Sequence, residues 1–518
     1  MALTKAKFGV ISSALASGNA TDGYVLTADG SGNSAWEEVA GGPTHKTFGT
    51  SSIMIGDNAT GTIDAANNNT GVGVDIFAAL TSGDDNTVFG KGAGAALTTG
   101  QRNVFVGIES GTTMTTGQEN CYVGRLAGKL ATSGYSTGVG TEALYNNTGN
   151  HNTAVGIQAL MSNTSGTYNV ALGSYALANT TTAQENTAIG YEALNDNTTG
   201  NKNTAVGFRA LDLNTTASEN TAVGGDALGN TTTGGNNVAV GRLALSQNTT
   251  GVSHTAVGHQ ALDACTTGNN NTAFGKDALG TLTTGGHNVA CGLNALAAQT
   301  TSNNCTAMGS GAAYVLTTSD KSTCIGREAG VAITTGSNNV MLGGSAGYNT
   351  TTGDNNVVIG TSASCANSTD YRCLFISTVG GSGKGSHTGF LSAGGSASIY
   401  QGNNSASWAT TSDKRIKKNI VENIDGLNKI EQIQVKNFEY RTEDEITDFD
   451  NPKAVAVEKQ GVQLGVIAQE IQEILPDVVK EEDTGCLRVD PDNITWYLVN
   501  AVKELSAEVK QLKQKLGE

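Results

Sequence analysis

A bulky apolar residue followed by glycine returns along the chain at an almost fixed interval. The glycine of each such pair lies at 56, 73, 90, 107, 124, 140, 156, 173, 190 and 207, and then every 17 residues to 360. Of the eighteen intervals, sixteen are 17 residues and two are 16. The residue before the glycine runs Ile55, Val72, Phe89 through Leu342 and Ile359, and the third residue after it is Ala in seventeen of nineteen copies, Ile76 and Ser110 being the exceptions. So strict a period means a stacked array, in which each unit repeats one backbone path so as to pack on its neighbour. A helical unit is excluded because Val-Gly and Thr-Thr pairs recur too often for helix interiors. NTTG-type segments supply turns, since Asn and Gly tolerate positive φ. Each unit therefore reads as two short strands and two turns, with the residue before the glycine as an inward bulky slot and the Ala as an inward small one. The expected fold is mainly β, a parallel β-roll or solenoid of nineteen coils, about 90 Å long at about 4.8 Å per coil.

One Val and one Ala per coil bury little apolar area, so several copies are expected to pack side by side, most simply as a homotrimer. The AVGxxA pattern resembles the head repeats of YadA-like trimeric adhesins, whose units are shorter. That resemblance implies the β-roll and the trimer and carries no binding site.

Composition agrees with an array. The 518 residues include 69 Gly and only 4 Pro, and aromatics are 5%. Few large side chains and much Gly argue against one large globular core. A net charge of -16 argues against nucleic acid and against anionic lipid as partners. No apolar run approaches a membrane span, and MALTKAKFGVISSALASGNA at 1–20 lacks signal-peptide organisation, so assembly in a cytosol and no membrane insertion are expected. Eight cysteines show no CxxC pair and no histidine at metal-ligand spacing, and they read as unpaired small hydrophobes. Neither a metal nor a cofactor is expected. GGSGKGS at 380–386 falls short of a phosphate loop, because Gly385 follows Lys384, and it reads as a flexible linker. Thr and Asn ladders could present an ordered surface, as in ice-binding solenoids. Acids are too scattered over the repeat slots to suggest the carboxylate pair of a glycosidase.

Both ends depart from the array. ATDGYVLTADGSGNSAWEEVAGG at 20–42 resembles the N-terminal segment of phage tail and head fibre proteins, on DGYVLTADGSG and Trp36. That implies docking of residues 1–45 onto other virion proteins; a strand capping the array fits equally. Residues 366–411 repeat least within the predicted mature fibre, and they are expected to form its distal tip and to touch the host receptor, a glycan or an outer-surface protein. The last 107 residues hold about half of all charges. Within them GVIAQEIQEILPDVV at 465–479 reads as a helix stopped near Pro476. Leu498, Val502, Leu505, Val509, Leu512 and Leu516 alternate spacings of 4 and 3, an a/d seam able to join helices from separate chains.

The boundary itself reads TSDKRIKKNI, residues 411–420. A serine hydroxyl is a weak nucleophile without a base, and a lysine is a base only when neutral. Neighbouring cations lower a lysine pKa. Ser412 and Lys417, five residues apart, do not share a face of a helix or a strand, so they meet only across a turn or between chains. Composition does not rank Lys414, Lys417 and Lys418. SDKRIKKNI, GVIAQEIQEILPDVV and NITWYLVNAVKEL, in that order, resemble the S74 peptidase family, the intramolecular chaperones of phage fibres, tailspikes and endosialidases, with a related domain in the myelin regulatory factor. The resemblance implies Ser412 as nucleophile, Lys417 as base, Asp413 and Arg415 as supporting positions, and cutting of the Thr411–Ser412 bond after trimerisation. The expectation is thus a virion fibre, tail or head, with segments 1–45, 46–365, 366–411 and 412–518, and with at most autoproteolytic activity. A glycan-degrading tailspike, a fibre that keeps its chaperone and a cellular YadA-like adhesin are the alternatives.

Overall fold

The computed structural model describes residues 65–378, 380–392, 417–447, 456–457, 459–482 and 485–517, together with the strands Tyr24–Ala28, Ser34–Glu38, His45–Phe48, Ser52–Ile55 and Ser398–Gln401. The chain divides into two units, Met1–Thr411 and Ser412–Glu518.

The first unit is a parallel β-solenoid. Short strands from Ser52–Ile55 to Val357–Ile359 each pair with the strand one coil on. Register never slips: Thr204 faces Thr221, Ala205 faces Ala222 and Val206 faces Val223. Pairing always advances in one direction, so the ladder climbs rather than closing into a barrel. Both ends turn antiparallel. His45–Phe48 folds back on Ser52–Ile55, and Ser398–Gln401 folds back on Gly389–Ser392. Antiparallel ends leave the parallel stack less open to further strand addition. Tyr24–Ala28 and Ser34–Glu38 form a separate hairpin with Leu26 opposite Trp36.

The ladder does not stop where the sequence pattern fades. Leu374–Ser377 and Gly389–Ser392 add two more parallel strands. The expected linker at 380–386 is part of this stack: Gly381–Ser382 pairs with Ala363–Ser364, and the Lys384 ammonium lies 4.9 Å from the centre of the Phe390 ring.

The coil departs from expectation in two ways. It has one strand, not two. After the marker glycines from Gly73 to Gly343 the chain alternates right- and left-handed residues, as at Arg209 (φ 53°) and Leu211 (φ 54°). Alternation turns successive N–H groups up and down the stack: Arg209 N donates to Tyr191 O on the coil before, and Leu211 N to Ala227 O on the coil after, at 2.9 and 3.0 Å. Eleven leucines from Leu144 to Leu296 hold this left-handed conformation, at about 1–2 kcal/mol each, offset by the bonds between coils and by burial.

The inward slots also differ. The bulky residue before the glycine faces outward; Phe89, Leu172 and Phe274 are exposed. The middle residue of each strand faces in, as Ala205 and Ala222 do, because side chains alternate along a strand. Bulk inside comes instead from the leucine four residues after the glycine, as at Leu211 and Leu228, beside the expected Ala at Ala210 and Ala227, all fully buried.

The interior also carries a polar ladder. Asn203 lies buried; its Oδ1 accepts from Asn220 N at 3.0 Å, and its Nδ2 donates to Ala217 O at 2.9 Å. The same pair of bonds repeats at Asn69, Asn86, Asn103, Asn186 and Asn271. Satisfied in this way, a buried amide fixes register without the penalty of an unpaired polar group.

His254 takes the asparagine place. Its Nε2 lies 2.6 Å from Gly268 O and its Nδ1 accepts from Asn271 N at 3.2 Å, so Nε2 carries the proton and the ring is neutral. Burial lowers its pKa below the ordinary 6.5. As pH falls through 6.5 the unfolded chain therefore takes up a proton that the folded chain refuses, and stability is lost until the folded pKa is reached. Thermal melts from pH 7.5 to 5 should show a steeper loss for the wild type than for His254→Asn, which restores the ladder residue. Superposable pH curves would refute this role.

At Gly207, φ is +140° and a Cβ would stand 2.5 Å from Gly224 O of the next coil. Gly207→Ala should cost at least about 2 kcal/mol, read as a lower urea midpoint. Gly225→Ala, with nothing nearer than 4.0 Å, should stay within about 0.5 kcal/mol of wild type.

Candidate functional site

Among its described residues the second unit combines three helices, α1 (Leu427–Gln432), α2 (Ala468–Ile474) and α3 (Pro491–Leu516), with two antiparallel strand pairs. The α2 helix ends just before Pro476, which opens the 3₁₀ turn Pro476–Val478. A proline there lacks the N–H that another helical turn would need. Ile471, Leu475, Val478, Val479 and Tyr497 form the core, with Ile430, Ile433 and Ile494 packed against it.

The first half of α3 is held by polar contacts. Tyr497 Oη donates to Asp477 Oδ2 at 2.9 Å. Asn500 Nδ2 donates to Asn423 O at 2.8 Å and to Asp425 O at 3.2 Å. Glu504 Oε2 accepts from Leu427 N, the first residue of α1, at 2.8 Å. Glycine is required at 426, where a Cβ would lie 2.5 Å from Ala501 N. Burial first, and then the Asp477 carboxylate that accepts its proton, raise the Tyr497 phenol above its usual pKa. Asn423, Asp477, Asn493, Trp496, Tyr497 and Asn500 line a cavity of about 230 Å³. The sequence motif NITWYLVNAVKEL is thus the wall of this cavity and the anchor of α1. Spacing alone carried no sign of Gly426 or Glu504.

The two faces of α3 have different fates. Tyr497 and Ala501 are buried against the unit. The a/d residues Leu498, Val502, Leu505, Val509, Leu512 and Leu516 are 43% to 76% exposed. From Leu505 to Gly517 every residue is exposed. The outer stripe has nothing of its own unit upon it among the described residues.

Lys417 is exposed and opens the irregular segment that runs to Asn423 and α1. Thr411, Ser412, Asp413 and Arg415 lie outside the described residues, so the pairing of Ser412 with Lys417 rests on the sequence.

On the solenoid several carboxylates are held in ion pairs, within and between coils, and others accept N–H groups of a neighbouring coil, as Asp84 and Asp320 do. Glu119 pairs with Arg102 at 3.0 Å, Glu109 with Lys129 at 2.6 Å, and Arg209 lies between Glu192 and Asp212. Among the described residues no group of His, Cys, Asp and Glu could hold a metal ion, and no helix is long and apolar enough to cross a membrane.

Residues 412–480 match the family model for Peptidase S74, described as the chaperone of endosialidase. The match begins at Ser412, the residue that also opens the second structural unit. It covers the α1 and α2 region and ends just before α3.

Removing the phenol hydroxyl tests the α3 anchor. Tyr497→Phe leaves Asp477 without its donor, which should cost about 1–2 kcal/mol. Hydrogen exchange of α3 amides in the full chain should quicken about tenfold or more, since 1.4 kcal/mol is a factor of ten. Unchanged protection would remove this bond from the account of the domain.

Proposed function

We propose that the chain is a trimeric fibre of a phage virion, tail or head, whose C-terminal unit is an intramolecular chaperone that detaches itself. The observation that carries the reading is the chaperone match beginning at Ser412, at the start of a separately folded unit. The uncovered heptad seam on α3 supplies a surface for bringing chains together. The long solenoid supplies the product to be assembled. In this reading residues 1–45 bind other virion proteins, the fibre meets a glycan or protein of the host surface, and assembly takes place in the host cytoplasm.

The proposed chemistry is one amide cleavage. Lys417, in its neutral form, takes the proton of the Ser412 hydroxyl, whose oxygen attacks the carbonyl carbon of Thr411. The Thr411–Ser412 C–N bond breaks, the Ser412 nitrogen leaves as an amine after accepting a proton, and water then hydrolyses the ester. Asp413 and Arg415 hold the loop in place. Once the chaperone is gone, the fibre is held by the barrier to its unfolding and not by the domain that built it.

Intact mass of the recombinant chain tests this beside Ser412→Ala and Lys417→Ala. A fragment spanning 412–518, present in wild type and absent from both variants, is expected. One full-length mass for all three would remove the peptidase and leave a fibre with a permanent chaperone cap.

A further inference from the structure

The outward face of the solenoid strands has no cover from its own unit among the described residues. Each strand turns two side chains out, the first of the core triplet and the residue before the marker glycine. The first position is Thr or Val in most coils, and the second is Val, Ile, Leu, Phe, Met or Cys. No Asp, Glu, Lys or Arg occupies either position between Ile53 and Ile376. The most open of these residues, among them Ile53, Val170, Leu172, Phe274 and Met308, are 36% to 47% exposed, which is nearly all that side chains stacked in a continuous ladder can show. Summed over the ladder, this surface is on the order of 2,000 Å², where soluble monomers expose patches of about 300–600 Å². It exceeds the roughly 800 Å² that each partner buries in a standard specific interface.

We infer that this face is covered by further copies of the same chain, packed parallel and in register about an axis that runs along the stack. The repeat itself selects the occupant. A partner must present apolar side chains every 4.8 Å or so over nineteen coils. A parallel copy of this chain does so at every coil, and it meets the two 16-residue coils with the same two irregularities. An antiparallel copy would bring the coils around Gly124 and Gly140 opposite regular ones. The inference rests on the fibre reading and adds to it the surface and the direction of the contact.

Native cysteines make the arrangement readable. Cys291 is exposed and stands second in its strand pair on this face, and Cys121 stands first in its own. Their coils are the fifteenth and the fifth of the nineteen that carry a marker glycine, equidistant from the two ends of that marked array. Parallel packing brings Cys291 of one copy to Cys291 of the next, whereas antiparallel packing brings Cys291 to Cys121. The other five solenoid cysteines are buried.

The experiment is cross-linking of the full chain carrying Cys486→Ser with a short bismaleimide, followed by peptide mapping. Chain-to-chain Cys291–Cys291 links, lost in Cys291→Ser, are expected. Val289→Glu places like charges on the same strand at an exposed position, and should leave the circular dichroism unchanged while lowering the link about tenfold. Links from Cys121 to Cys291 would overturn the parallel arrangement. A sedimenting oligomer whose Cys291 takes only single maleimides would mean that chains join elsewhere, as through α3, and would overturn the face. A monomer, with the face left for water, ice or an unrelated partner, would overturn it too. Intact mass reports on self-cleavage independently, so the chaperone reading and this face can fail separately.

Discussion

The structure depends on how closely one coil lies on the next. At every marker position from Gly73 to Gly343, a Cβ would stand 2.3–2.8 Å from an atom of the next marker glycine. No side chain fits, and φ near +130° to +150° suits none. Glycine here is the condition for stacking itself. Once two coils touch at this point, their strands can pair only in register, and each side chain must fall above its counterpart. The interior ladders, the ion pairs between coils and the outward apolar stripes are consequences of that one contact.

Register explains why a polar interior is tolerable. A solitary buried asparagine with unmatched donors would destabilise a small core. In a strict stack each amide meets the same backbone groups on the neighbouring coil, so one solution serves every coil. His254 shows the tolerance of the slot: an imidazole with the correct tautomer reproduces both bonds, provided it stays neutral. Cys305 and Cys373 take the slot as well, each with its backbone N–H still held by the preceding asparagine at 2.9 Å.

Much of this was legible in the sequence, and the failures were of one kind. The period gave the coil, its stacking and the small inward Ala210 and its equivalents. The faces were misassigned because the largest apolar residue was placed inside. A strand buries alternate residues, and in this thin coil the slot between Thr204 and Val206 has room only for Ala205. Val206 is left outside. Leu211 escaped notice because a left-handed leucine breaks both the helical and the strand periodicity by which burial is read. In the C-terminal unit the heptad seam was legible because it is periodic. The Gly426 passage and the Glu504 cap on α1 were not, because each joins residues more than 70 apart.

Outward valines change the assembly problem that the proposed chaperone must solve. Within one chain, each coil pairs with a neighbour 17 residues away, so the solenoid can grow by local steps without help. Between chains the same regularity is a hazard. A copy displaced by one coil still finds nearly the same apolar face, so sliding by one repeat forfeits little contact and leaves many near-equal registers. Lateral packing, marked only by the two 16-residue coils, therefore discriminates weakly among them. Register needs a feature that occurs once per chain, and the array, being periodic, has few. On the proposed reading the non-repeating C-terminal unit would provide one, through the a/d seam of α3. Such a domain is needed while registers are being chosen and is redundant afterwards, when displacement would require separating the whole face. That asymmetry is the physical argument for the proposed cleavage: a register-setting domain would be best joined to the array by a bond that can be cut.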